Sequence, residues 1–376
     1  MSQTSNYPRI RVAGTARERG QQYGEQASER IAVNIAAYKR VFAHYARWDW
    51  PEVLAQANLY RAAITAFDHA IMAEIEGIAE GAGVGPDEIL ALNVRTEVMF
   101  AAKARDASAT LPRVAECTSM ALLPERTGST TLLSQNWDWL VHSFDTVVIV
   151  ECEREDAPNY VTVVEAGLLA KFGMNSAGIA IGVNAMVSTG DQGAADVPFH
   201  VLLRALLDAQ TPTAALETLQ RAQRASSGNF LIVSGDDLAV DIEAEPGDYS
   251  RLYPLIPEAG LLLHANHFLS PRFPGPDVGL LVMPDSIFRQ QRAASLLAGL
   301  MAPIAPGDLM GILSDHAGHP LGLCCHPTAQ EHEMERGATI ASVVMEPVTR
   351  RIWLAQGQPC AVGYQEIEST SLREHR

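Results

Sequence analysis

The hydrophobic periodicity of this 376-residue chain changes near residue 117, and this change limits the folds that it can adopt. From Ala16 to about Lys103, apolar residues recur three and four positions apart, which predicts helices. Beyond residue 117 the pattern changes to short runs rich in β-branched residues, which predict strands. The predicted strands are residues 130–134, 146–152, 160–165, 178–184, 230–234, 238–243, 260–264, 338–345 and 351–355.

Helical patterns interrupt the strands at residues 197–209, 213–225, 286–300 and 307–313. Clusters of strands separated by paired helices predict two sheets packed face to face, with helices on the outside. The predicted fold class is therefore α+β, in four αββα layers. A mainly helical segment, residues 1–116, precedes the β-rich residues 117–376, which would form the catalytic part.

Composition narrows the functional classes. Hydrophobic residues make up 47% of the chain, enough for one large core or two smaller ones, and no apolar stretch approaches the ~20 residues of a membrane span. The N-terminus lacks the basic start and apolar run of a secretory signal. Five cysteines, an odd number, argue against a disulfide framework. We expect a cytoplasmic protein.

The net charge of −16 is unevenly distributed. Residues 1–116 contain 13 Lys and Arg against 14 Asp and Glu, whereas residues 117–376 contain 15 against 30. An acidic surface disfavours binding to nucleic acid and to anionic membranes, and it mildly favours neutral or cationic ligands. We therefore expect a small-molecule ligand.

Cys117 lies at the change of periodicity, within the string VAECTSM at residues 114–120. Cleavage of the Glu116–Cys117 bond would make it the first residue of a new chain. It would then carry both a thiol nucleophile, with an ordinary pKa of ~8.5, and an α-amine of pKa ~7.7–8.0 that can act as the base. The alternative is a buried cysteine that only packs.

Several strings surrounding this cysteine occur in a definite order. They are RG at 19–20, YG at 23–24, EGIAEGAGV at 76–84, LNVRTE at 92–97, CTS at 117–119, QNWDW at 135–139, GMNSAGIA at 173–180 and HANHF at 264–268. Together they resemble the penicillin acyltransferase (isopenicillin-N acyltransferase-like) family of N-terminal-nucleophile hydrolases. The resemblance extends over nearly the whole chain and implies the αββα fold.

The resemblance also implies self-cleavage between Glu116 and Cys117, with Cys117 as the nucleophile. Members of the family commonly have glycine before the nucleophile, whereas this chain has Glu116, which tolerates a strained backbone less well. Asp138 matches an aspartate of the related bile-salt and penicillin V hydrolases. It is expected to follow a strand and to hold the new α-amine. Those relatives have arginine where this chain has Gln135, so a nearby positive charge must come from elsewhere.

An acyl transfer needs donors for its oxyanion, and the resemblance implies two. Asn266 matches the side-chain donor, and Asn184 matches a residue that donates its backbone N–H. A turn at the end of a strand is the alternative role for each asparagine. Arg289, at the start of a predicted helix, matches an active-site arginine that lowers the pKa of the thiol or guides the substrate. A surface position is its alternative.

The segment DHAGH at residues 315–319, followed by CCH at 324–326, suggests a metal site. Adjacent cysteines in a strand point to opposite faces, so Cys324 and Cys325 can hardly bind one zinc, and the usual CxxC pairs are missing. We therefore expect no metal and no cofactor.

These observations favour a self-cleaving amide hydrolase or acyltransferase. Its substrate is a small N-acyl compound, with acyl-CoA as another candidate donor, and Cys117 takes the acyl group as a thioester. The two cleaved chains are expected to stay associated, and a homo-oligomer is left open. Two alternatives remain: an uncleaved, catalytically silent binding protein of the same fold, and a thiol protease with a Cys–His pair.

Overall fold

The computed structural model describes residues 6–106, 108–111 and 117–373. Its first part is one strand followed by six helices: β1 (Arg9–Ala13), α1 (Ala16–Tyr45), α2 (Trp50–Asn58), α3 (Arg61–Phe67), α4 (His69–Ala82), α5 (Pro86–Asn93) and α6 (Arg95–Arg105). Helix α1 begins where Thr15 and Glu18 cap each other's backbone, an arrangement that satisfies N–H groups left free at a helix start.

The second part alternates strands and helices. It contains β2 (Cys117–Leu122), α7 (Pro124–Thr127), β3 (Leu132–Leu140), β4 (Val147–Glu153), β5 (Tyr160–Glu165), β6 (Phe172–Asn175), β7 (Ile179–Ala185), α8 (Phe199–Leu206), α9 (Pro212–Arg221), β8 (Gly228–Ser234), β9 (Ala239–Ala244), β10 (Leu252–Leu255), β11 (Leu261–His264), α10 (Gly279–Val282), α11 (Ser286–Ala298), α12 (Pro306–Leu313), β12 (Gly337–Glu346), β13 (Arg351–Ala355), α13 (Pro359–Val362), β14 (Gln365–Glu366) and α14 (Thr370–Arg373).

The strands form two sheets. The larger has the order β1-β4-β5-β6-β7-β8-β9-β10, and the smaller has the order β11-β2-β3-β12-β13-β14. Every neighbouring pair is antiparallel except β1 and β4. Strand β1 thus joins the helical part of the chain to the larger sheet.

The two sheets face each other through β2 and β3 on one side and β7 and β8 on the other. The side chain of Gln135 on β3 bonds both backbone groups of Val183 on β7, at 2.7 and 2.9 Å. A Cβ at Gly182 would lie 3.2 Å from the Gln135 side-chain oxygen, so the strands approach closely here. This contact brings Cys117 on β2 close to the end of β7.

Helices cover the outer faces, which confirms the predicted αββα layering. On the smaller sheet, the Asn136 side chain of β3 donates to the carbonyl of Leu313 at the end of α12. On the larger sheet, the ring of Phe199 on α8 packs against Phe230 on β8, at 5.5 Å between centroids. Alternate residues of each central strand therefore face either the other sheet or a helix.

Helices α1 and α4 pack through glycines. Gly20 and Gly24 on α1 face Gly77 and Gly81 on α4, and a Cβ at Gly20 would lie only 2.3 Å from a backbone oxygen of α4. Larger residues would push the helices apart. One hydrophobic core includes residues from these helices and from both sheets, so the two parts of the chain share a core. Within the described residues, no helix combines the length and hydrophobicity that a membrane span requires.

Most predicted strands and helices are present, but β3 differs from its prediction. The sequence pattern ends a strand at residue 134, whereas β3 continues to Leu140, so Asp138 lies inside a strand and not after one. The first strand of the second part, β2, was not predicted. Both strands lie in the centre of the smaller sheet, between β11 and β12, where their polar side chains find partners. This tertiary context outweighs local propensity.

Candidate active site

The carbonyl group of Cys117 is the point where several predicted site residues meet. Cys117 begins β2, is fully buried and lies opposite Trp137 on β3. Its carbonyl oxygen accepts hydrogen bonds from Asn184 Nδ2 at 3.0 Å and from Arg289 Nη1 at 2.8 Å. Strand β7 of the opposite sheet and helix α11 thus both hold the first residue of β2. Glu116, the other side of the predicted cleavage site, lies outside the described residues.

Arg289 is buried and contacts four groups. Besides Cys117, it donates to Thr118 Oγ1 at 2.9 Å, to Asn266 Oδ1 at 2.8 Å and to Asp285 Oδ2 at 2.7 Å. Burial lowers the pKa of Arg289, but the carboxylates of Asp285 and Asp138 outweigh it and the pKa lies above its ordinary value. The guanidinium is a permanent positive charge at the site, so the alternative of a surface arginine is wrong.

Asn266 follows β11 and is completely buried. Its side-chain amide donates to the carbonyl of Ala185 at 2.8 Å, while its oxygen accepts from Arg289. Its backbone N–H contacts Ser286 Oγ at 2.6 Å, and His267 contacts the same hydroxyl at 2.7 Å. The amide is therefore fixed in orientation, with one of its two N–H groups used by Ala185.

Asn184 contacts Cys117 through its side chain, whereas the resemblance implied a role for its backbone. Its amide nitrogen donates to the carbonyls of Cys117 and, at 3.4 Å, of His264. Its oxygen accepts from Ser119 at 2.6 Å and from Asn229 at 3.1 Å. The side chain thus connects both sheets at the point where β2 begins.

Asp138 lies on the outer face of the smaller sheet, one residue beyond the partner of Cys117. Its carboxylate accepts a hydrogen bond from Thr339 on β12 and acts electrostatically on Arg289. The same Thr339 hydroxyl accepts from the backbone N–H of Cys325 at 2.8 Å. Asp138 is buried within this group and does not cap a turn, which was its alternative role.

Gln135, where the resemblance implied an arginine in related hydrolases, holds the two sheets together through Val183. The positive charge beside Cys117 comes from Arg289 on a different element. Sequence reasoning identified both residues but could not connect them, because 154 positions separate them in the chain.

A buried charged group next to the site was not predicted. His264 Nε2 lies 2.8 Å from Glu243 Oε1, its Nδ1 lies 2.8 Å from the Ala265 carbonyl, and both side chains are fully buried. Burial lowers the pKa of His264, but the hydrogen bond to Glu243 and the charge of Asp241 raise it above its ordinary value. Burial raises the pKa of Asp241 to about 6. The only sequence signal was that His264 opens the string HANHF.

A mostly apolar pocket is lined in part by Ala185, whose carbonyl accepts the hydrogen bond from Asn266. Its wall includes Phe100, Met283 and the side chain of Lys171, which is only 4% exposed. The Lys171 ammonium lies 5.9 Å from the ring centre of Trp137 and 5.6 Å from that of Phe199. In the described part of the chain it forms no ion pair, although an unpaired buried ammonium is costly. This wall therefore suits an anionic group.

A second group of chemically reactive side chains lies elsewhere. His316, Cys324, His326 and Cys360 each place one nitrogen or sulfur atom within 4.8 Å of the others. None of them is a predicted catalytic residue. These four are the described side chains that could hold a metal ion together.

Comparisons with known proteins agree with the resemblance given by the strings that follow Cys117. Residues 125–361, more than half of the chain, match the model of the family described as acyl-coenzyme A:6-aminopenicillanic acid acyl-transferase. The chain is 28% identical over 287 residues to the acyl-coenzyme A:6-aminopenicillanic-acid-acyltransferase 40 kDa form of Emericella nidulans, covering 76% of this chain and 74% of that protein. The matched family region contains Asp138, Asn184, Asn266 and Arg289 but starts after Cys117.

Two solved structures show a weaker similarity. A mutant conjugated bile acid hydrolase from Clostridium perfringens is 12% identical with a TM-score of 0.47, covering 69% of this chain and 95% of that one. Penicillin V acylase from Agrobacterium tumefaciens is 13% identical with a TM-score of 0.41, covering 64% of this chain and 83% of that one.

Proposed function

Because this chain belongs to the acyl-coenzyme A:6-aminopenicillanic acid acyl-transferase family, we propose that it transfers or hydrolyses acyl groups with the thiol of Cys117 as nucleophile. One observation carries the proposal: Asn184 and Arg289, from separate elements, converge on the Cys117 carbonyl, and Arg289 also bonds Asn266. Any buried carbonyl needs one hydrogen-bond partner, but this one has two from separate elements, and one of them is a permanent positive charge.

The first step is self-cleavage. The Cys117 sulfur attacks the carbonyl carbon of Glu116, the C–N bond breaks, and the nitrogen leaves as the α-amine of Cys117 once it has taken up a proton. Water then hydrolyses the resulting thioester, which gives a carboxylate on Glu116 and restores the thiol. The released amine is the base that the uncleaved chain lacks, because an amide nitrogen cannot accept the proton of the thiol.

The same groups then act on substrate. The α-amine accepts the thiol proton, sulfur attacks the acyl carbon, and the leaving amine or thiol takes the proton as the bond breaks. The acyl group remains on Cys117 as a thioester, and water or an amine attacks it with the α-amine again as base. Asp138 holds the resulting ammonium form, and Arg289 supplies positive charge near the sulfur.

The oxyanion of each step needs donors, and Asn266 is proposed as one. A side-chain amide has two N–H groups, and Ala185 accepts one of them, so the other is available to substrate. The Asn184 side chain already donates to two carbonyls, which leaves its backbone N–H as the second proposed donor. Fixed orientation at Asn266 is what electrostatic stabilisation of a transition state requires.

The substrate proposed from the pocket is a small N-acyl compound or an acyl thioester such as acyl-CoA, with an apolar portion and an anionic group. The apolar walls, with Phe100 and Met283, suit a hydrocarbon portion, and the Lys171 ammonium suits a carboxylate. The acidic surface of the chain favours neutral or cationic ligands, but at close range a desolvated lysine outweighs a distant, screened field.

The cleaved segment, residues 1–116, is proposed to stay bound. Strand β1 pairs with β4 in the larger sheet, and the helices share one hydrophobic core with both sheets. One observation argues against a Cys–His protease. The backbone carbonyl of His264 accepts from Asn184, but both ring nitrogens of this histidine already have partners. Mass spectrometry would detect the alternative of an uncleaved binding protein.

Mass spectrometry of the purified, active protein tests the proposal. We expect associated chains of 116 and 260 residues, the larger beginning at Cys117. A quenched reaction with an N-acyl amino acid or acyl-CoA should add the acyl mass to that chain at its first residue. Full activity in an intact single chain would contradict the proposal, and an intact chain that binds but never acylates would support the binding protein instead.

A further inference from the structure

His316, Cys324, His326 and Cys360 bring two sulfur and two nitrogen atoms within 4.8 Å of one another. The first three lie on the segment after α12, and Cys360 lies on α13. We propose that these four side chains bind one zinc ion in a closed, structural site. This site is separate from the proposed chemistry at Cys117 and does not depend on it.

Four of the six distances between the ligand atoms are close to those of a tetrahedron around zinc. Zn–S bonds of ~2.3 Å and Zn–N bonds of ~2.0–2.1 Å at tetrahedral angles require about 3.8 Å between sulfurs, about 3.6 Å between sulfur and nitrogen and about 3.3 Å between nitrogens. Cys324 Sγ lies 3.5 Å from Cys360 Sγ, and each sulfur lies 3.5 Å from His326 Nε2. The Nε2 atoms of His316 and His326 lie 3.0 Å apart.

The ligand types select the metal. Two thiolates and two imidazoles form a usual set for structural Zn²⁺, and they neutralise its charge. The group has no carboxylate, which hard cations such as Ca²⁺ and Mg²⁺ require. A disulfide between Cys324 and Cys360 would need a separation of ~2.05 Å, well below the 3.5 Å between these sulfurs.

Cys324 and His326 act together, since Cys324 Sγ lies 3.5 Å from His326 Nε2. Cys325, between them, faces the catalytic group: its thiol interacts electrostatically with Asp138 and Arg289. Its N–H donates to Thr339, the partner of Asp138. The sequence predicted no metal because the adjacent Cys324 and Cys325 can hardly bind one zinc. The second sulfur of this group is instead that of Cys360.

Gln358 lies on the far side of His326 from the cluster. Its side-chain nitrogen lies 2.8 Å from Nδ1 of His326 and donates to the carbonyl of Cys325 at 3.1 Å. A ligating His326 carries its proton on Nδ1, so zinc binding requires the Gln358 amide to turn its oxygen toward that nitrogen and to give up the bond to Cys325. With four protein ligands the site has no open position, so its role is to fix the loop that supports Asp138 through Cys325 and Thr339.

Metal analysis of the reduced, tag-free protein tests this inference. After incubation with ZnCl₂ and gel filtration, we expect about one zinc per chain in the wild type, and loss of at least about tenfold in Cys360→Ser and His316→Ala. His319→Ala is the matched control. Its ring centre lies 5.4 Å from that of His326, yet it is outside the four-ligand set, so it should keep its zinc.

A measurement on the wild type avoids the risk that a variant fails to fold. The wild type loaded with Co²⁺ should show the intense visible absorption of a tetrahedral thiolate site. Zinc should also remain in Cys117→Ala, which separates this inference from the proposed activity. Wild type with less than about a tenth of a zinc per chain, full zinc in Cys360→Ser, or a Cys324–Cys360 disulfide in the reduced, zinc-loaded protein would each overturn the proposal.

Discussion

The group around Cys117 and the group around Cys360 are proposed to use cysteine in opposite ways. At Cys117 a single, fully buried cysteine has its carbonyl held by hydrogen bonds from two other elements. At the second group two sulfurs and two imidazoles face one another near the surface, two of the four residues being exposed. A nucleophile needs a reactive thiol on a fixed backbone, whereas a metal site needs ligand atoms that converge.

The largest expected effect separates the two groups directly. Cys117→Ala should remain one chain of 376 residues and lose all activity, because it has neither the thiol that cleaves nor the thiol that accepts acyl groups. Its zinc content should stay normal. Cys152→Ala, a buried free cysteine on β4, is the control and should still cleave. Cleavage in Cys117→Ala would place the nucleophile elsewhere.

The next effect concerns the oxyanion. In protein already cleaved at Cys117, Asn266→Ala should lower kcat by about 10²–10³ with little change in KM, because the lost bond is strongest in the transition state. Asn266→Asp should be worse, since a carboxylate repels the developing charge. Steady-state kinetics on the best amide substrate measure both.

Asn175→Ala is the matched control for Asn266. Its amide bonds the carbonyls of Leu207 and Ala209 in a turn away from the site. This variant is expected to lose stability but to keep kcat. Near wild-type kcat in Asn266→Ala would mean that this asparagine only orients Arg289.

A smaller effect is expected at Lys171. Lys171→Met should raise KM for a carboxylate-bearing substrate about 10- to 100-fold, the cost of losing a hydrogen bond to a charged group. Substrates of similar size without a carboxylate should be little affected. Lys103→Met, at an exposed position on α6, is the control. Equal losses for charged and uncharged substrates would show that Lys171 supports the pocket wall and does not select the ligand.

The smallest effect is a pH dependence at His267. Burial lowers the pKa of this half-buried histidine to about 4, and Ser286 links it to Asn266. The unfolded chain binds more protons than the folded one between about pH 6.5 and pH 4, so stability is lost as pH falls through this range. Because His267 is partly exposed, we expect the free energy of unfolding to fall by only about 1–2 kcal/mol.

Urea unfolding at about pH 7 and about pH 4.5 measures this loss, with His267→Gln as the comparison. The variant should show a shallower decrease in the free energy of unfolding. An unchanged pH slope would assign the loss to other buried histidines, such as His142, whose pKa burial also lowers to about 4.

The sequence predicted the αββα layers because hydrophobic periodicity is a local property. It did not predict that Asp138 lies within β3, since the length of a central strand depends on its neighbours, here β2 and β12. Nor did it predict the role of the Asn184 side chain, which depends on the spacing between two sheets.

The sequence by itself determined the family and the candidates Cys117, Asp138, Asn184, Asn266 and Arg289, because each was matched to the family through its neighbours in the chain. The tertiary structure alone brought Arg289 to the Cys117 carbonyl and Cys360 to Cys324, pairs separated by 172 and 36 positions. Local sequence patterns do not show which residues far apart in the chain come together. Which side chains meet depends on how the helices and sheets pack, and packing decides whether a cysteine serves as a nucleophile or as a ligand.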